Sequence, residues 1–134
     1  MQSAKVDILA RTLFGEARGE LYGGRIAIAN VIVNRVLDNR TWWGTDLASV
    51  CKHPYQFSCW NESDPNRRVI EEITDSDPTF QECIIIAEDA SSFQLPDITF
   101  GACHYHAKGV KPGWAKGKTP IVQIGNHIFF SGLD

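Results

Sequence analysis

A stripe of apolar residues at helical spacing predicts the first helix of the chain. The stripe consists of Val6, Leu9, Ala10, Leu13 and Phe14. We expect this helix to end where Gly15 and Gly19 appear. After Gly23 and Gly24, residues 26–37 are apolar on most of the helical circumference. A helix of that kind is buried on nearly all sides, so we expect it at the centre of the fold.

Capping residues predict two further helices. Thr45 or Asp46 is placed to cap a short helix that runs through Val50. Asp77 precedes a proline at a first helical position, which predicts a longer helix over 78–90.

The pattern changes to that of strands in the last third of the chain. Residues 98–106 are rich in Phe, Tyr and Thr, and the runs 121–124 and 127–130 flank Gly125 and Asn126. A two-residue connection that begins with glycine suits a type II′ hairpin. Helices followed by strands predict an α+β fold, with a helical N-terminal part and a small antiparallel hairpin or sheet near the C-terminus.

Length, composition and charge then narrow the possible partners. The 134 residues, 43% hydrophobic and 22% charged, fit one domain over 1–134 with one core. The 13 Lys and Arg residues against 16 Asp and Glu residues give a net charge of -3, which supplies no basic stripe for nucleic acid or anionic lipid. We expect a monomer that binds neither nucleic acid nor membrane.

The first residues and the cysteines bear on location and redox state. The N-terminus lacks the charged-then-apolar order of a signal peptide, so we expect a chain made in the cytoplasm. No two cysteines form a C-x-x-C pair, so the strong zinc and redox patterns are absent. We expect reduced, buried thiols, with disulfides as the alternative, at Cys51, Cys59, Cys83 and Cys103.

Two carboxylates, Glu16 and Glu20, lie four positions apart where the first helix meets glycine. A carboxyl packed against Leu13 and Phe14 would resist ionisation, and such a group can act as a general acid near neutral pH. The alternative is an exposed, charged helix end screened by Arg18.

Aromatic and amide side chains are concentrated in the predicted loops. They include Trp42, Trp43, Tyr55, Gln56, Phe57, Ser58, Trp60, Asn61, Tyr105 and Trp114. Aromatic rings stack on the flat faces of sugars, while amides and hydroxyls supply directional hydrogen bonds. The pattern predicts a carbohydrate-binding surface, and a small satellite core is the alternative.

Histidines form a third candidate constellation. His104 and His106 share one face of a predicted strand, which is how a metal site with His127 could begin. No clear further ligand alternates with them, so we expect structural hydrogen bonding or substrate contact and no metal or other cofactor. The chain contains no G-x-S-x-G, P-loop or G-x-G-x-x-G motif, which leaves esterase and nucleotide chemistry without support.

Six short segments together resemble a known family. They are LARTLFGEARGE (9–20), VIVNRV (31–36), QFS (56–58) with Trp60, GACHYH (101–106), PGW (112–114) and IGNHIFF (124–130). Their joint occurrence, in this order and over nearly the whole chain, resembles the spore cortex-lytic cell wall hydrolases of the SleB/CwlJ type.

The resemblance implies a lysozyme-like α+β domain, related to lytic transglycosylases, that acts on the glycan strands of peptidoglycan. The family's catalytic glutamate maps onto Glu16, which would protonate the oxygen between N-acetylmuramic acid and N-acetylglucosamine and then act as a base. Attack by the muramyl 6-hydroxyl would give a 1,6-anhydro sugar without a second carboxylate. Glu20 is the second carboxylate if water attacks instead, as in a muramidase, although its position past Gly19 predicts a solvated side chain.

The same matching places a set of side chains in the cleft, with Arg18 and Asn34 beside it. The set is Gln56, Phe57, Ser58, Tyr105, His106, Trp114 and Asn126. Without a signal or wall-binding repeats, the chain resembles a phage endolysin released through a holin to act on the cell wall, or a recombinant catalytic fragment. A net charge of -3 predicts no tight retention on an anionic wall. A non-catalytic glycan-binding module and a zinc hydrolase are the alternatives from other classes.

Overall fold

A computed structural model describes residues 3–38, 43–53 and 56–132 of the chain. Its helices are α1 (Ala4–Ala17), α2 (Tyr22–Leu37), α3 (Leu47–Lys52), α4 (Pro65–Glu72) and α5 (Pro78–Ser91). Its strands are β1 (His104–Ala107), β2 (Val122–Ile124) and β3 (His127–Phe130), and two 3₁₀ turns lie at Ser58–Trp60 and Gly113–Ala115. Helices precede a small sheet along the chain, as the sequence pattern predicted.

Side-chain caps set the starts of three helices. Asp46 and Ser49 form a capping box at α3, and the Asp77 side chain accepts a backbone N–H of α5 at 3.0 Å. Both predicted caps are confirmed. Asp64 caps α4, which the sequence analysis did not predict. The reason is that α4 buries a single residue, Ile70, so it carries almost no apolar periodicity.

The predicted end of α1 at its glycines is wrong, because the helix continues through Gly15 to Ala17. A Cβ at Gly15 would lie 2.6 Å from Cys59 Cβ and 2.9 Å from Ile70 Cγ2. This glycine therefore permits close packing by the Ser58–Trp60 turn and α4, and it does not end the helix. The extra turn is what places Glu16 on a helix.

α2 is the central helix, as predicted, but it begins before the glycine pair and not after it. It packs against α1, α3 and α5, and most of its residues between Gly24 and Ile32 are buried. A Cβ at Gly24 would lie 2.7 Å from Glu20 Cβ, so the glycine admits the chain that leads into the helix. No helix within the described ranges is long and apolar enough to cross a membrane.

The sheet has three antiparallel strands in the order β1-β3-β2. Gly125 and Asn126 connect β2 to β3, and Gly125 has a φ of +57°, as the first loop position of a II′ turn requires. The predicted hairpin is therefore confirmed. The strand character expected for residues 98–103 is wrong, because the Asp97 carboxylate accepts backbone N–H groups of Thr99 and Gly101 and turns the chain.

The hydrophobic core lies between the helices and the face of the sheet that carries Phe129. All four cysteines are thiols; Cys51, Cys59 and Cys83 lie in this core, and Cys103 is partly exposed. Burial raises the pKa of Cys51 and of Cys83 to about 12. These thiols are inert packing groups, as the sequence analysis expected.

Candidate active site

The Glu16 carboxyl lies between two parts of the chain that are distant in sequence. Its Oε1 accepts a hydrogen bond of 3.0 Å from the Tyr105 hydroxyl on β1. Its Oε2 accepts a hydrogen bond of 3.3 Å from the Cys59 backbone N–H. The last turn of α1, the Ser58–Trp60 turn and the sheet thus meet at one partly buried carboxyl.

Tyr105 remains a proton donor to this carboxyl throughout the neutral range. Burial, and then the negative charge of Glu16, raise the pKa of Tyr105 well above 10.0. Arg35 opposes the shift without cancelling it. The phenol therefore keeps its hydrogen and fixes the orientation of Glu16.

Cys59 contributes its backbone to the site and not its thiol. Burial, and then the charge of Glu16, raise the pKa of the Cys59 thiol above its ordinary value of 9.0. A thiol that resists ionisation is a poor nucleophile. The sequence therefore places a cysteine here for close packing against Gly15.

A polar cavity of about 360 Å³ lies next to Glu16. It is lined by Arg35, Gln56, His104, Tyr105 and Trp114. Tyr105 connects the two, because it lines the cavity and donates to Glu16. The cavity contains three of the predicted cleft residues, Gln56, Tyr105 and Trp114.

The sequence analysis missed Arg35, which organises one wall of this cavity. The Arg35 guanidinium donates to the Cys103 carbonyl at 2.8 Å and to Gln56 Oε1 at 3.2 Å. It also lies over the rings of Trp43, at 5.2 Å, and Phe57, at 5.4 Å. The signal that could have found it is a buried cation within an otherwise apolar helical run.

The expectation that Phe57 lines the cleft is corrected by its burial. Phe57 is 1% exposed and is part of the hydrophobic core under Arg35. Ser58 and Gln56 are exposed on either side of it. The predicted positions Trp42 and Tyr55 lie outside the described residues.

His104 and His106 share the outer face of β1, as the strand spacing predicted. Both rings contact Trp114, at 5.3 Å and 5.7 Å between centroids. The register of β1 and β3 places His127 on the opposite face. The three histidines are therefore not one site, and no cluster that could hold a metal ion occurs among the described residues.

Trp114 separates the polar cavity from a second, apolar one. Trp114 is 40% exposed and also contacts the Phe130 ring at 5.2 Å. The second cavity measures about 430 Å³ and is lined by His106, Lys111, Pro112, Gly113, Ala115, Lys116 and Phe130. His106 lines this second cavity and not the one beside Glu16.

Glu20 is nearly buried, so the expectation of a solvated side chain is wrong. Its Oε1 accepts the Asn126 backbone N–H at 2.8 Å, and its Oε2 accepts Asn126 Nδ2 at 2.9 Å. His127 Nδ1 lies 3.5 Å from Oε1. Burial acts to raise the pKa of Glu20, but the Asn126 hydrogen bonds and the His127 charge outweigh it, and the pKa is lowered.

Arg18 and Asn34, expected beside the cleft, brace other segments. The Arg18 guanidinium donates to Asn66 Oδ1 at 2.6 Å. The Asn34 amide donates to the Ala102 carbonyl at 2.9 Å and to Asp97 at 3.1 Å. Asn34 thus fixes the loop that leads into β1 and carries Tyr105 to the site.

Comparison with known proteins assigns the class. The family described as "Cell Wall Hydrolase" matches residues 19–130, and the chain belongs to this family. The spore cortex-lytic enzyme of Bacillus subtilis strain 168 is 30% identical over 132 residues, which cover 92% of this chain and 36% of that protein. The spore cortex-lytic enzyme of Oceanobacillus iheyensis is 29% identical over 130 residues, which cover 92% of this chain and 40% of that protein. The chain spans less than half the length of these curated relatives.

Two solved structures share the fold. The catalytic domain of the Bacillus cereus SleB protein has a TM-score of 0.70 and 26% identity, over 93% of this chain and 88% of that chain. The catalytic domain of the germination-specific lytic transglycosylase SleB from Bacillus anthracis has a TM-score of 0.69 and 24% identity, over 96% of this chain and 95% of that chain. The predicted lysozyme-like α+β fold, the SleB/CwlJ-type family and an enzyme that degrades the cell wall are confirmed.

Proposed function

We propose that the chain cleaves the β-1,4 bond between N-acetylmuramic acid and N-acetylglucosamine in peptidoglycan, as a lytic transglycosylase with Glu16 as acid and base. The observation that carries this proposal is the Glu16 carboxyl held by the Tyr105 hydroxyl and the Cys59 N–H next to a polar cavity. Membership of the cell wall hydrolase family supports the substrate. The Bacillus anthracis structure, itself a lytic transglycosylase, supports the fold.

In the first step, protonated Glu16 donates its hydrogen to the glycosidic oxygen as the bond to the muramyl anomeric carbon breaks. N-acetylglucosamine leaves with that hydrogen on its oxygen, and positive charge develops on the muramyl ring. The Tyr105 and Cys59 donors stabilise the carboxylate that forms, because hydrogen bonds to a charged acceptor are stronger than those to a neutral one.

In the second step, the Glu16 carboxylate removes the hydrogen from the muramyl 6-hydroxyl as that oxygen bonds to the anomeric carbon. Glu16 returns to its protonated form, no water is consumed, and the product is a 1,6-anhydro sugar. Trp114 offers an exposed ring on which a sugar can stack. Gln56 offers an amide for directional hydrogen bonds within the same cavity.

The surroundings of Glu20 support this route over hydrolysis. A hydrolytic enzyme of the inverting or retaining kind uses a second carboxylate as a base or a nucleophile. Both Glu20 oxygens already accept hydrogen bonds from Asn126, and the side chain is only 8% exposed. A carboxylate engaged in this way is not available to orient water, which favours attack by the sugar's own hydroxyl.

The test is mass spectrometry of soluble fragments released from purified peptidoglycan by the wild type and by Glu16→Gln. We expect anhydro-muropeptides from the wild type alone, with circular dichroism showing that both proteins are folded. Fragments heavier by one water would make the enzyme a muramidase. No fragments from either protein would leave a glycan-binding module, and loss of the wild-type reaction on chelation would favour the zinc hydrolase.

A further inference from the structure

Glu20 lies beyond the end of α1 and is fixed to a turn far away in the sequence. Its two carboxylate oxygens bind two donors of one residue, the Asn126 backbone N–H at 2.8 Å and the Asn126 side-chain amide at 2.9 Å. The two residues are 106 positions apart, and the pair ties the α1–α2 connection to the β2–β3 turn. A carboxylate with paired donors has one well-defined orientation.

The space around Glu20 is built for this side chain. A Cβ at Gly125 would lie 2.5 Å from Glu20 Oε1, and a Cβ at Gly24 would lie 2.7 Å from Glu20 Cβ. The carboxyl thus packs between two glycines, and only 8% of the side chain is exposed. Substrate has little access to a group enclosed in this way.

A short series of contacts leads from Glu20 to the carboxyl of Glu16. His127 Nδ1 lies 3.5 Å from Glu20 Oε1, and the His127 ring packs edge-on against the Tyr105 ring at 5.1 Å. The Tyr105 hydroxyl in turn donates to Glu16 at 3.0 Å. Each contact is made by a residue adjacent to the hairpin turn or on the strand paired with β3.

We propose that Glu20 is a positioning residue for the Glu16 reaction, and not a second catalytic carboxylate. By holding Asn126 it fixes the β2–β3 hairpin, which keeps His127 against Tyr105 and the Tyr105 hydroxyl on Glu16. This inference rests on the proposed acid and base role of Glu16. It requires the hydrogen-bonding pattern between positions 20 and 126, and it does not require a negative charge at position 20.

A reversed pair tests that requirement. Glu20→Gln places an amide N–H group against the Asn126 amide, so two donors face each other. Adding Asn126→Asp restores one donor and one acceptor, because the amide introduced at position 20 can then donate to the new carboxylate while its carbonyl accepts the backbone N–H. Net charge is unchanged in the double variant, and Asp suits this position of the turn.

We expect Glu20→Gln to lower kcat for release of anhydro fragments from soluble glycan strands on the order of tenfold or more, because small misplacements of a reacting group are costly. KM should change less than about twofold, since the cavity wall is untouched. Asn126→Asp alone, which places two carboxylates face to face, should also lower kcat. The double variant should recover most of the wild-type kcat.

Two outcomes would overturn the proposal. One is a double variant as slow as Glu20→Gln with a wild-type near-ultraviolet circular dichroism spectrum, which would assign chemistry to the Glu20 charge itself. The other is a Glu20→Gln protein with wild-type kcat. If Glu20→Gln does not fold, Asn126→Ala keeps the carboxylate and the backbone hydrogen bond, and an unchanged kcat there would also refute it. A wild type that releases no fragments, or an active Glu16→Gln protein, refutes the proposed function instead.

Discussion

The two faces of the three-stranded sheet do different things with the same strand. On the inner face, Tyr105 and His127 contact each other, and through them the sheet reaches Glu16 and Glu20. On the outer face, His104 and His106 contact Trp114, which is 40% exposed. The inner face is fixed by hydrogen bonds to helices, whereas the outer face presents rings to two cavities.

The difference follows from the alternation of side chains along β1. Successive residues of a strand point to opposite sides, so His104 and His106 leave the core while Tyr105 enters it. The four-residue strand therefore supplies both an orienting group for the acid and a wall for the ligand. Changes on the inner face should alter the rate of the chemical step, and changes on the outer face should alter substrate binding.

Removing the Tyr105 hydroxyl is the strongest test of the inner face. Tyr105→Phe deletes the donor to Glu16 Oε1 while it keeps the ring packing on His127. We expect kcat to fall on the order of 100-fold, which is typical for loss of one oriented donor at a reacting charge, with KM nearly unchanged. Steady-state kinetics on soluble glycan strands would measure both constants.

Tyr22→Phe is the matched control, because it removes a hydroxyl from a tyrosine that is 46% exposed at the start of α2. It should retain the wild-type kcat. A Tyr105→Phe enzyme with the wild-type kcat and a raised KM would mean that the inner face binds substrate and does not orient the acid.

Shortening Trp114 tests the outer face. Trp114→Ala removes the exposed ring that borders the cavity next to Glu16. We expect KM to rise several-fold, up to about tenfold, because one aromatic stacking contact contributes roughly 0.5–1.5 kcal/mol. The kcat value should fall much less than in Tyr105→Phe.

The control for this change is Tyr22→Ala, which removes an exposed ring elsewhere on the surface and should leave KM as it is. If Trp114→Ala lowers kcat as much as Tyr105→Phe does, the two faces do not divide binding from chemistry. That result would extend the orienting role to the outer rings.

Local chemistry made part of this fold predictable from the sequence. Asp46 and Asp77 act as caps, and Gly125 adopts the positive φ of its turn, because each of these roles depends on neighbours within a few positions. The alternation along β1 likewise placed His104 and His106 on one face. Spacing alone left Glu16 as either an acid or a charged helix end, and only the family resemblance selected it.

The features that were missed all depend on residues distant in the chain. Gly15 looked like a helix end because Cys59 and Ile70, which require its missing side chain, are not its sequence neighbours. Glu20 looked solvated because its partner Asn126 is 106 positions away. Arg35 was hidden within an apolar helix for the same reason, since the carbonyl of Cys103 is 68 positions away. Such contacts form only when the fold brings the segments together.

The smallest change we expect concerns the acid stability of the inner face. The pKa of Glu20 is lower in the folded protein than its ordinary value of 4.5, so its carboxylate stabilises the fold above about that pH. This contribution is lost as pH falls below 4.5 through the folded-state pKa. The free energy of unfolding, measured in urea from about pH 7 to about pH 3, should therefore show a wild-type advantage over Glu20→Gln that shrinks on acidification. Glu62→Gln, at an exposed carboxylate, should follow the wild type in parallel. A wild-type advantage that stays constant over that whole range would mean that the hairpin is held by packing against Gly125 and not by the charge of Glu20.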